Sequence, residues 1–273
     1  MWKCILVILI ITIPGCIQPI EEEENMVLAT TTSMRDSGLL DVLLPAFTES
    51  TGIKIDYVAA GTGAALNLGK SGDADLLIVH APDAEVEFIQ QGHGIERKTF
   101  AWNRFVILSP KNDPVGMTEN LSESLVKIAE SGQCFVSRGD NSGTHIKEQE
   151  MWNSIVEITD IEIITDEVGT HPVGEWYYSI GQGMGAAITM AYEKDCYTLS
   201  DKGTHLFRDE VGLVAHEFVD QLTLNPYSII LLDSKFSTES QLFFDYLFGE
   251  GTSVIENYSI NNEQLFFVNQ PDH

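Results

Sequence analysis

The sequence predicts an α/β protein of two lobes, each a mainly parallel sheet flanked by helices. Short apolar strands alternate with amphipathic helices along the chain, which is typical of parallel sheets with crossover helices. The alternation stops at the apolar run 105–110 and then restarts, and a later run, 226–232, suits a strand that returns to the first part. Three strand ends also carry polar turns rich in hydroxyl or glycine residues, so we expect the ligand in a cleft between the lobes.

The individual elements follow from periodicity, helix caps and glycine stops. Asp36 and Ser37 are predicted to cap the first helix, whose Leu39, Leu43 and Phe47 share one face. The predicted strands are 27–29, 53–60, 75–79, 105–110, 134–137, 161–165, 196–199 and 226–232. The further predicted helices are 64–68, 83–90, 121–130, 143–156, 175–180, 186–193, 201–207, 237–248 and 252–258. We therefore predict a first lobe of residues 26–107 and 226–273, and a second lobe of residues 108–225.

The N-terminal segment has the pattern of an export signal. Lys3 precedes the apolar run 5–13, which ends just before Gly15 and Cys16. Gly15-Cys16 resembles the lipobox of bacterial-type lipoproteins, in which the cysteine becomes the lipidated N-terminus. A membrane-spanning anchor is the weaker alternative, because about 20 apolar residues are needed to cross a bilayer. We predict a signal peptide at 1–15 and a lipid-anchored acidic tether at 16–25, which holds the protein at the outer face of the cytoplasmic membrane.

The charge of the chain limits its partners. Asp and Glu total 41 against 15 Lys and Arg, giving a formal net charge of −26 at pH 7. Nucleic acid is excluded as a partner, because the basic patches that release its counterions are missing. An anion must be held by local donors, which screening over about 8–10 Å at moderate salt allows.

Two cysteines, Cys134 and Cys196, remain in the predicted mature domain. They are too few for a structural zinc site, and histidines and carboxylates do not cluster at metal-ligand spacing. Each stands at the start of a predicted strand of the second lobe, and the compartment is oxidising. A disulfide between them and a pair of buried free thiols are the two alternatives.

The three turns at strand ends are rich in hydrogen-bond donors. They are Thr30–Ser33, Gly61–Gly63 and Arg138–Thr144. The third begins a helix, whose first N–H groups lack intrahelical partners and whose dipole is positive. Arg138 adds a forked cation that keeps its proton. Such a set suits a fully deprotonated tetrahedral oxyanion, whereas hydrogen phosphate also needs an acceptor, for which Asp36 and Asp140 are candidates.

Several longer motifs carry a family resemblance. They are Leu28-Ala29-Thr30-Thr31-Thr32-Ser33 followed by Asp36-Ser37-Gly38-Leu39-Leu40, then Ser137-Arg138-Gly139-Asp140-Asn141-Ser142-Gly143-Thr144-His145, Gly181-Gln182-Gly183-Met184-Gly185-Ala186, Tyr197-Thr198-Leu199-Ser200-Asp201-Lys202-Gly203-Thr204 and Leu224-Asn225-Pro226-Tyr227. Together they resemble the tungstate-binding proteins of ABC importers over most of residues 27–250. The resemblance implies a type II periplasmic-binding-protein fold that carries tungstate or molybdate and has no enzymatic activity and no cofactor. It also implies a membrane permease with its cytoplasmic ATPase as partner, and we expect a monomer.

The resemblance also assigns site residues. The implied oxyanion contacts are Thr31, Thr32, Ser33, Thr62, Arg138, Ser142, Gly143 and Thr144. One departure from the family pattern is Arg104, a cation where relatives tend to have an acidic residue. We expect Arg104 to affect the hinge between the lobes rather than the ligand.

Two rival functions are open. A phosphate-binding protein of an ABC importer would also use a Ser-Gly-Thr helix start beside an arginine. A serine hydrolase is suggested by Ser142, whose surroundings superficially resemble a serine-nucleophile motif, with His145 nearby. The hydrolase requires a histidine within hydrogen-bond reach of the serine.

Overall fold

The structure is a computed structural model that describes residues 24–208 and 212–269. The predicted signal peptide, Cys16 and most of the tether lie outside the described residues. The strands are β1 (Met26–Thr31), β2 (Ile55–Ala60), β3 (Leu76–Val79), β4 (Glu96–Pro110), β5 (Phe135–Ser137), β6 (Ile163–Asp166), β7 (Gly169–Pro172), β8 (Tyr177–Ser179), β9 (Tyr197–Asp201), β10 (Leu213–Glu217), β11 (Leu224–Leu231), β12 (Ser259–Ile260) and β13 (Glu263–Gln264). The α-helices are α1 (Thr32–Asp36), α2 (Leu40–Thr51), α3 (Thr62–Ser71), α4 (Pro82–Gln90), α5 (Leu121–Ser131), α6 (Gly143–Ser154), α7 (Met184–Lys194), α8 (Lys202–Arg208), α9 (Ser237–Leu247) and α10 (Gly251–Asn257).

One mixed sheet runs through the molecule in the order β2-β1-β3-β11-β4-β9-β5-β8, with β10 also paired to β4. At one end β2, β1 and β3 are parallel, and at the other β9, β5 and β8 are parallel. The two long strands β4 and β11 run antiparallel to each other between these groups. They therefore form the connection between two parallel sheets, which matches the predicted pair of crossing strands.

Apolar side chains collect in two cores. The first core packs on both faces of β1 and β3 and includes Leu28, Phe47 and Leu77. The second packs around β5 and β9 and includes Trp152 and Ile188. Strands buried on both faces, such as β3 with all four residues buried, are typical of sheets covered by helices on each side.

Along β4 the change from one core to the other falls between Ala101, in the first core, and Phe105, in the second. Along the segment that enters β11, the change between cores falls between Leu222, which packs against the second core, and Tyr227, in the first. Ile107, which the predicted boundaries assign to the first lobe, packs in the second core. The division into lobes 26–107 with 226–273, and 108–225, stays a prediction, but the crossing point on β4 lies a few residues earlier.

Two local predictions were wrong. Asp36 and Ser37 end α1 rather than cap the next helix, because Thr31 caps α1 and the Ser37 hydroxyl donates back to the Met34 carbonyl. The predicted helix 175–180 contains the strand β8, which pairs in parallel with β5. The predicted strand 161–165 is present as β6, which pairs with β7 in a separate hairpin outside the main sheet.

Cys134 and Cys196 are joined by a disulfide, with a Cα–Cα distance of 4.8 Å. The bond fastens the start of β5 to the start of β9. Within residues 24–208 and 212–269, no helix combines the length and the apolar character needed to cross a membrane.

Candidate functional site

The site is assembled from the ends of parallel strands and the helices that follow them. Thr31 ends β1 and caps α1, and its hydroxyl accepts a hydrogen bond from the Met34 N–H. Gly61 follows β2 and precedes α3, whose N-terminus has no side-chain cap. Ser142 caps α6, and its hydroxyl accepts from the His145 N–H. The uncapped N–H groups of such helix starts are available to an anion.

The turn after β5 is shaped by one glycine. Gly139 has φ +58°, and a Cβ built there would lie 2.0 Å from the Ser179 hydroxyl oxygen. This left-handed backbone favours glycine, and any larger residue would require the Ser179 side chain to move. The turn therefore brings Arg138 and the start of α6 to the same point.

Arg138 is buried and held by Asp140. Its Nη2 and Nε donate to Asp140 Oδ2 at 2.6 and 3.1 Å, while Nη1 lies 3.5 Å from the Thr144 hydroxyl. The other oxygen, Asp140 Oδ1, accepts from the Ser142 hydroxyl at 2.6 Å and from the Ser142 N–H at 3.2 Å. Burial raises the pKa of Asp140, but the hydrogen bonds from Ser142 and the charge of Arg138 outweigh burial and leave this pKa below its usual value. Asp140 is therefore an ionised anchor for Arg138.

All eight predicted contact residues line one small cavity. Its wall consists of Thr31, Thr32, Ser33, Ala60, Gly61, Thr62, His80, Arg138, Ser142, Gly143 and Thr144. The part of the cavity open to a water-sized sphere is about 10 Å³, which is room for about one water molecule. Residues up to His80 come from the side of the first core and the others from the side of the second, so the cavity lies between the two.

The cavity wall is rich in donors and poor in acceptors. No Asp or Glu side chain occurs among the described residues that line it. Asp36 pairs with Arg35 at the surface, and Asp140 is bound to Arg138 and Ser142. The two carboxylates named as possible acceptors are therefore turned away from the cavity.

His80 lines the cavity, and sequence analysis did not single it out. It follows directly after β3, so the same strand-end rule would have found it. Its Nε2 is 2.8 Å from the Ser33 hydroxyl oxygen, and its ring stacks on Tyr227. Burial lowers the pKa of His80 to about 4, against a raising hydrogen bond from Asn225, and Arg138 lowers it further. The ring is neutral at neutral pH.

Arg104 lies away from the cavity. Its Nη1 donates to the Asp220 carbonyl and to the Thr223 hydroxyl, both at 2.9 Å, in the turn before β11. Arg104 therefore connects β4 to the turn that leads into β11. This is the hinge region that Arg104 was expected to affect. In the part of the chain that the structure describes, His, Cys, Asp and Glu form no group of three that could hold a metal ion.

Comparisons with known proteins agree with this architecture. The model of a PBP superfamily domain, the superfamily of periplasmic binding proteins, matches residues 19–234. The tungstate-binding protein TupA of Peptoclostridium acidaminophilum is 42% identical over 221 residues, which cover 79% of this chain and 73% of that protein.

Two solved structures are also similar. The tungstate-binding protein TupA from Desulfovibrio alaskensis G20 has a TM-score of 0.76 and 35% identity, covering 89% of this chain and 98% of that one. The structure described as the tungstate ABC transporter from Geobacter sulfurreducens has a TM-score of 0.74 and 41% identity, covering 86% and 99%. The predicted α/β, type II periplasmic-binding-protein fold is confirmed, and the chain belongs to the family of these tungstate-binding proteins within the PBP superfamily.

Proposed function

We propose that this chain is an exported solute-binding protein that captures tungstate, and also molybdate, and delivers it to an ABC importer. The observation that carries the proposal is a buried cavity between the two cores, lined by hydroxyls, helix N-termini and Arg138, with no carboxylate among the described lining residues. Such a cavity complements a small dianion that carries no proton. The names of the relatives, which describe binding of tungstate, support the same ligand.

The cavity favours tungstate over phosphate. Hydrogen phosphate donates one hydrogen bond, so its site needs an acceptor, and the nearby carboxylate Asp140 already binds Arg138 and Ser142. Binding of a tetrahedral oxyanion requires the two walls to separate slightly from their present spacing. Rotation of the lobes about β4 and β11 would supply that movement, as in other hinged binding proteins.

The hydrolase alternative has little support in the geometry. The Ser142 hydroxyl donates to Asp140, and His145 Nδ1 accepts from a backbone N–H rather than from that serine. His80 is within hydrogen-bond distance of Ser33, but its other ring nitrogen contacts the neutral Asn225 side chain, and no carboxylate occurs among the described residues that line the cavity. The relatives are named as binding proteins, which also favours binding over catalysis.

Titration calorimetry of residues 26–273 with tungstate, molybdate, sulfate and phosphate tests the proposal. We expect tight binding of tungstate and molybdate, weaker binding of the smaller sulfate, and weak binding of phosphate. If phosphate bound more tightly than tungstate, the protein would instead be a phosphate-binding protein. Labelling of Ser142 by a fluorophosphonate would instead favour the hydrolase.

The same proposal includes the anchor and the partners. A lipid on Cys16 would hold the protein beside a permease and its ATPase, and the protein would act as a monomer. Mass spectrometry of the membrane-extracted protein and of a Cys16→Ser variant tests lipidation, and light scattering tests the monomer. Small-angle scattering with and without tungstate tests the rotation of the two lobes about β4 and β11.

A further inference from the structure

A chain of buried hydrogen bonds leads from the cavity wall to the two crossing strands. The Ser33 hydroxyl oxygen lies 2.8 Å from His80 Nε2, and His80 Nδ1 lies 2.8 Å from the Asn225 side chain. Asn225, on β11, contacts the side chain of Asn103, on β4, at 2.8 Å and the Tyr227 hydroxyl at 3.0 Å. Asn103 and Asn225 are also paired residues of the two strands. Ligand contact and hinge are thus connected by side chains.

The hydrogens in this chain can be counted. A neutral imidazole has one N–H and one acceptor nitrogen. If Asn225 turns its oxygen to His80, as the amides are placed here, Nδ1 carries the hydrogen and Nε2 accepts. The Ser33 hydroxyl must then donate to Nε2, so its hydrogen is not available to a ligand. In this arrangement the side-chain nitrogen of Asn103 is also buried without a hydrogen-bond partner.

Turning both amides by 180° changes this balance. The oxygen and nitrogen of an asparagine side chain occupy nearly the same outline, so the turn needs no extra space. Asn225 then donates to His80 Nδ1, and its oxygen accepts from Asn103 Nδ2 and from the Tyr227 hydroxyl. The side-chain nitrogen of Asn103 then has a hydrogen-bond partner, and the side-chain oxygen of Asn103 is left without one. A buried oxygen without a partner is tolerated better than a buried N–H. His80 now carries its hydrogen on Nε2 and donates it to Ser33. The Thr31 hydroxyl lies 3.1 Å from Ser33 Oγ and can donate to it as well, so the Ser33 hydrogen remains unused.

We propose that His80 is a positioning residue for the oxyanion: its Nε2–H donates to Ser33 Oγ, which leaves the Ser33 hydroxyl hydrogen free for the bound dianion. The inference rests on the proposed function, because it needs an acceptor ligand in the cavity. It explains why a histidine that carries no positive charge is buried in the wall of an anion site. The low pKa of His80 supports it, since the ring then has a single hydrogen whose position the amides set.

Two variants of the full-length chain separate this role from packing. His80→Phe keeps a ring on Tyr227 but removes both hydrogen bonds, so the Ser33 hydroxyl is no longer held in position and tungstate affinity should fall about 3- to 10-fold, the range for one neutral hydrogen bond. His80→Gln restores an N–H donor near the position of Nε2 and should recover most of that loss. In a Ser33→Ala background, His80→Phe should change affinity by less than about threefold, because its effect passes through the serine.

The position of the ring hydrogen can be read directly. ¹⁵N NMR of the wild-type chain with tungstate bound distinguishes Nε2–H from Nδ1–H, and we expect Nε2–H at His80. Nδ1–H in the bound protein would overturn the inference, as would an equal loss of affinity in His80→Phe with and without Ser33. The NMR result and His80→Gln decide the matter even if His80→Phe does not fold. If the wild type bound none of the four oxyanions, the proposed function itself would fail, which is a different outcome.

Discussion

Replacement of Arg138 by glutamine tests the electrostatic part of the site. The Arg138 side chain is 8% exposed and its partner Asp140 is 20% exposed, so the pair is largely removed from water. Nη1 faces Thr144 at the cavity, while Nη2 and Nε are engaged by Asp140. Two unit charges about 4 Å apart interact by about 4 kcal/mol at an effective dielectric of 20. A dianion doubles this attraction, and the opposite charge of Asp140 offsets part of it.

We therefore expect Arg138→Gln to weaken tungstate binding by about 2–4 kcal/mol, the lower part of the range for truncating one partner of a desolvated charge pair. That loss corresponds to about 30- to 700-fold in dissociation constant. The double variant Arg138→Gln/Asp140→Asn removes the unpaired carboxylate as well and should recover part of the loss. Titration calorimetry at fixed ionic strength measures both.

Arg35→Gln is the matched control. Arg35 also pairs with a neighbouring aspartate, Asp36, at 2.7 Å, but its side chain is 46% exposed and lies outside the cavity wall. Pairs of this exposed kind contribute about 0–1 kcal/mol, so tungstate affinity should change less than about threefold. Equal affinities of wild type and Arg138→Gln would refute the reasoning, as would equal losses in the two arginine variants.

Three further predictions concern stability. Gly139→Ala should lower the free energy of unfolding by more than about 1 kcal/mol, because positive φ and the contact with Ser179 both oppose a Cβ; urea denaturation showing an unchanged midpoint would contradict this. Replacing Cys134 and Cys196 by serine should lower it by about 2–4 kcal/mol and leave tungstate affinity within about twofold, since the disulfide lies away from the cavity. Burial raises the pKa of Glu148 to about 7, against hydrogen bonds that lower it, so the folded state keeps this proton while the unfolded state loses it near 4.5. The stability that Glu148 contributes is present at low pH and is lost as pH rises through 7; relative to wild type, Glu148→Gln should therefore gain on the order of 3 kcal/mol between pH 4.5 and 8, and a pH-independent difference would reject the assignment.

The candidate site was predictable because one rule locates it. Donor-rich turns after parallel strands meet at the same edge of a sheet, and the eight residues that the family resemblance assigned within such turns line one cavity. His80 escaped because a single histidine after an apolar strand has none of the glycines and hydroxyls that marked the other turns. Its partners Asn103 and Asn225 are distant in sequence and are brought together only by the pairing of β4 with β11.

Local elements were missed for similar reasons. A three-residue strand such as β8 is too short to show a period, and its aromatic residues suit a strand only when a neighbour such as β5 is present to pair with it. Asp36 and Ser37 were expected to cap the helix of Leu39, Leu43 and Phe47 because both are good cap residues, but that helix, α2, begins without a side-chain cap, and local propensity does not show this. Strand register, strand pairing and the direction of hydrogen bonds depend on residues that are distant in sequence, so local patterns do not predict them.

The Arg138–Asp140 pair is nearly neutral as a unit and is surrounded by a chain of net charge −26. An approaching dianion is thus repelled at long range and attracted only within the last few ångströms. Added salt shortens the repulsion more than it weakens buried contacts, so capture should become faster as ionic strength rises. The association rate of this protein with its oxyanion would then be higher at high salt than at low salt. A site that attracts anions through a broad positive surface would show the opposite dependence.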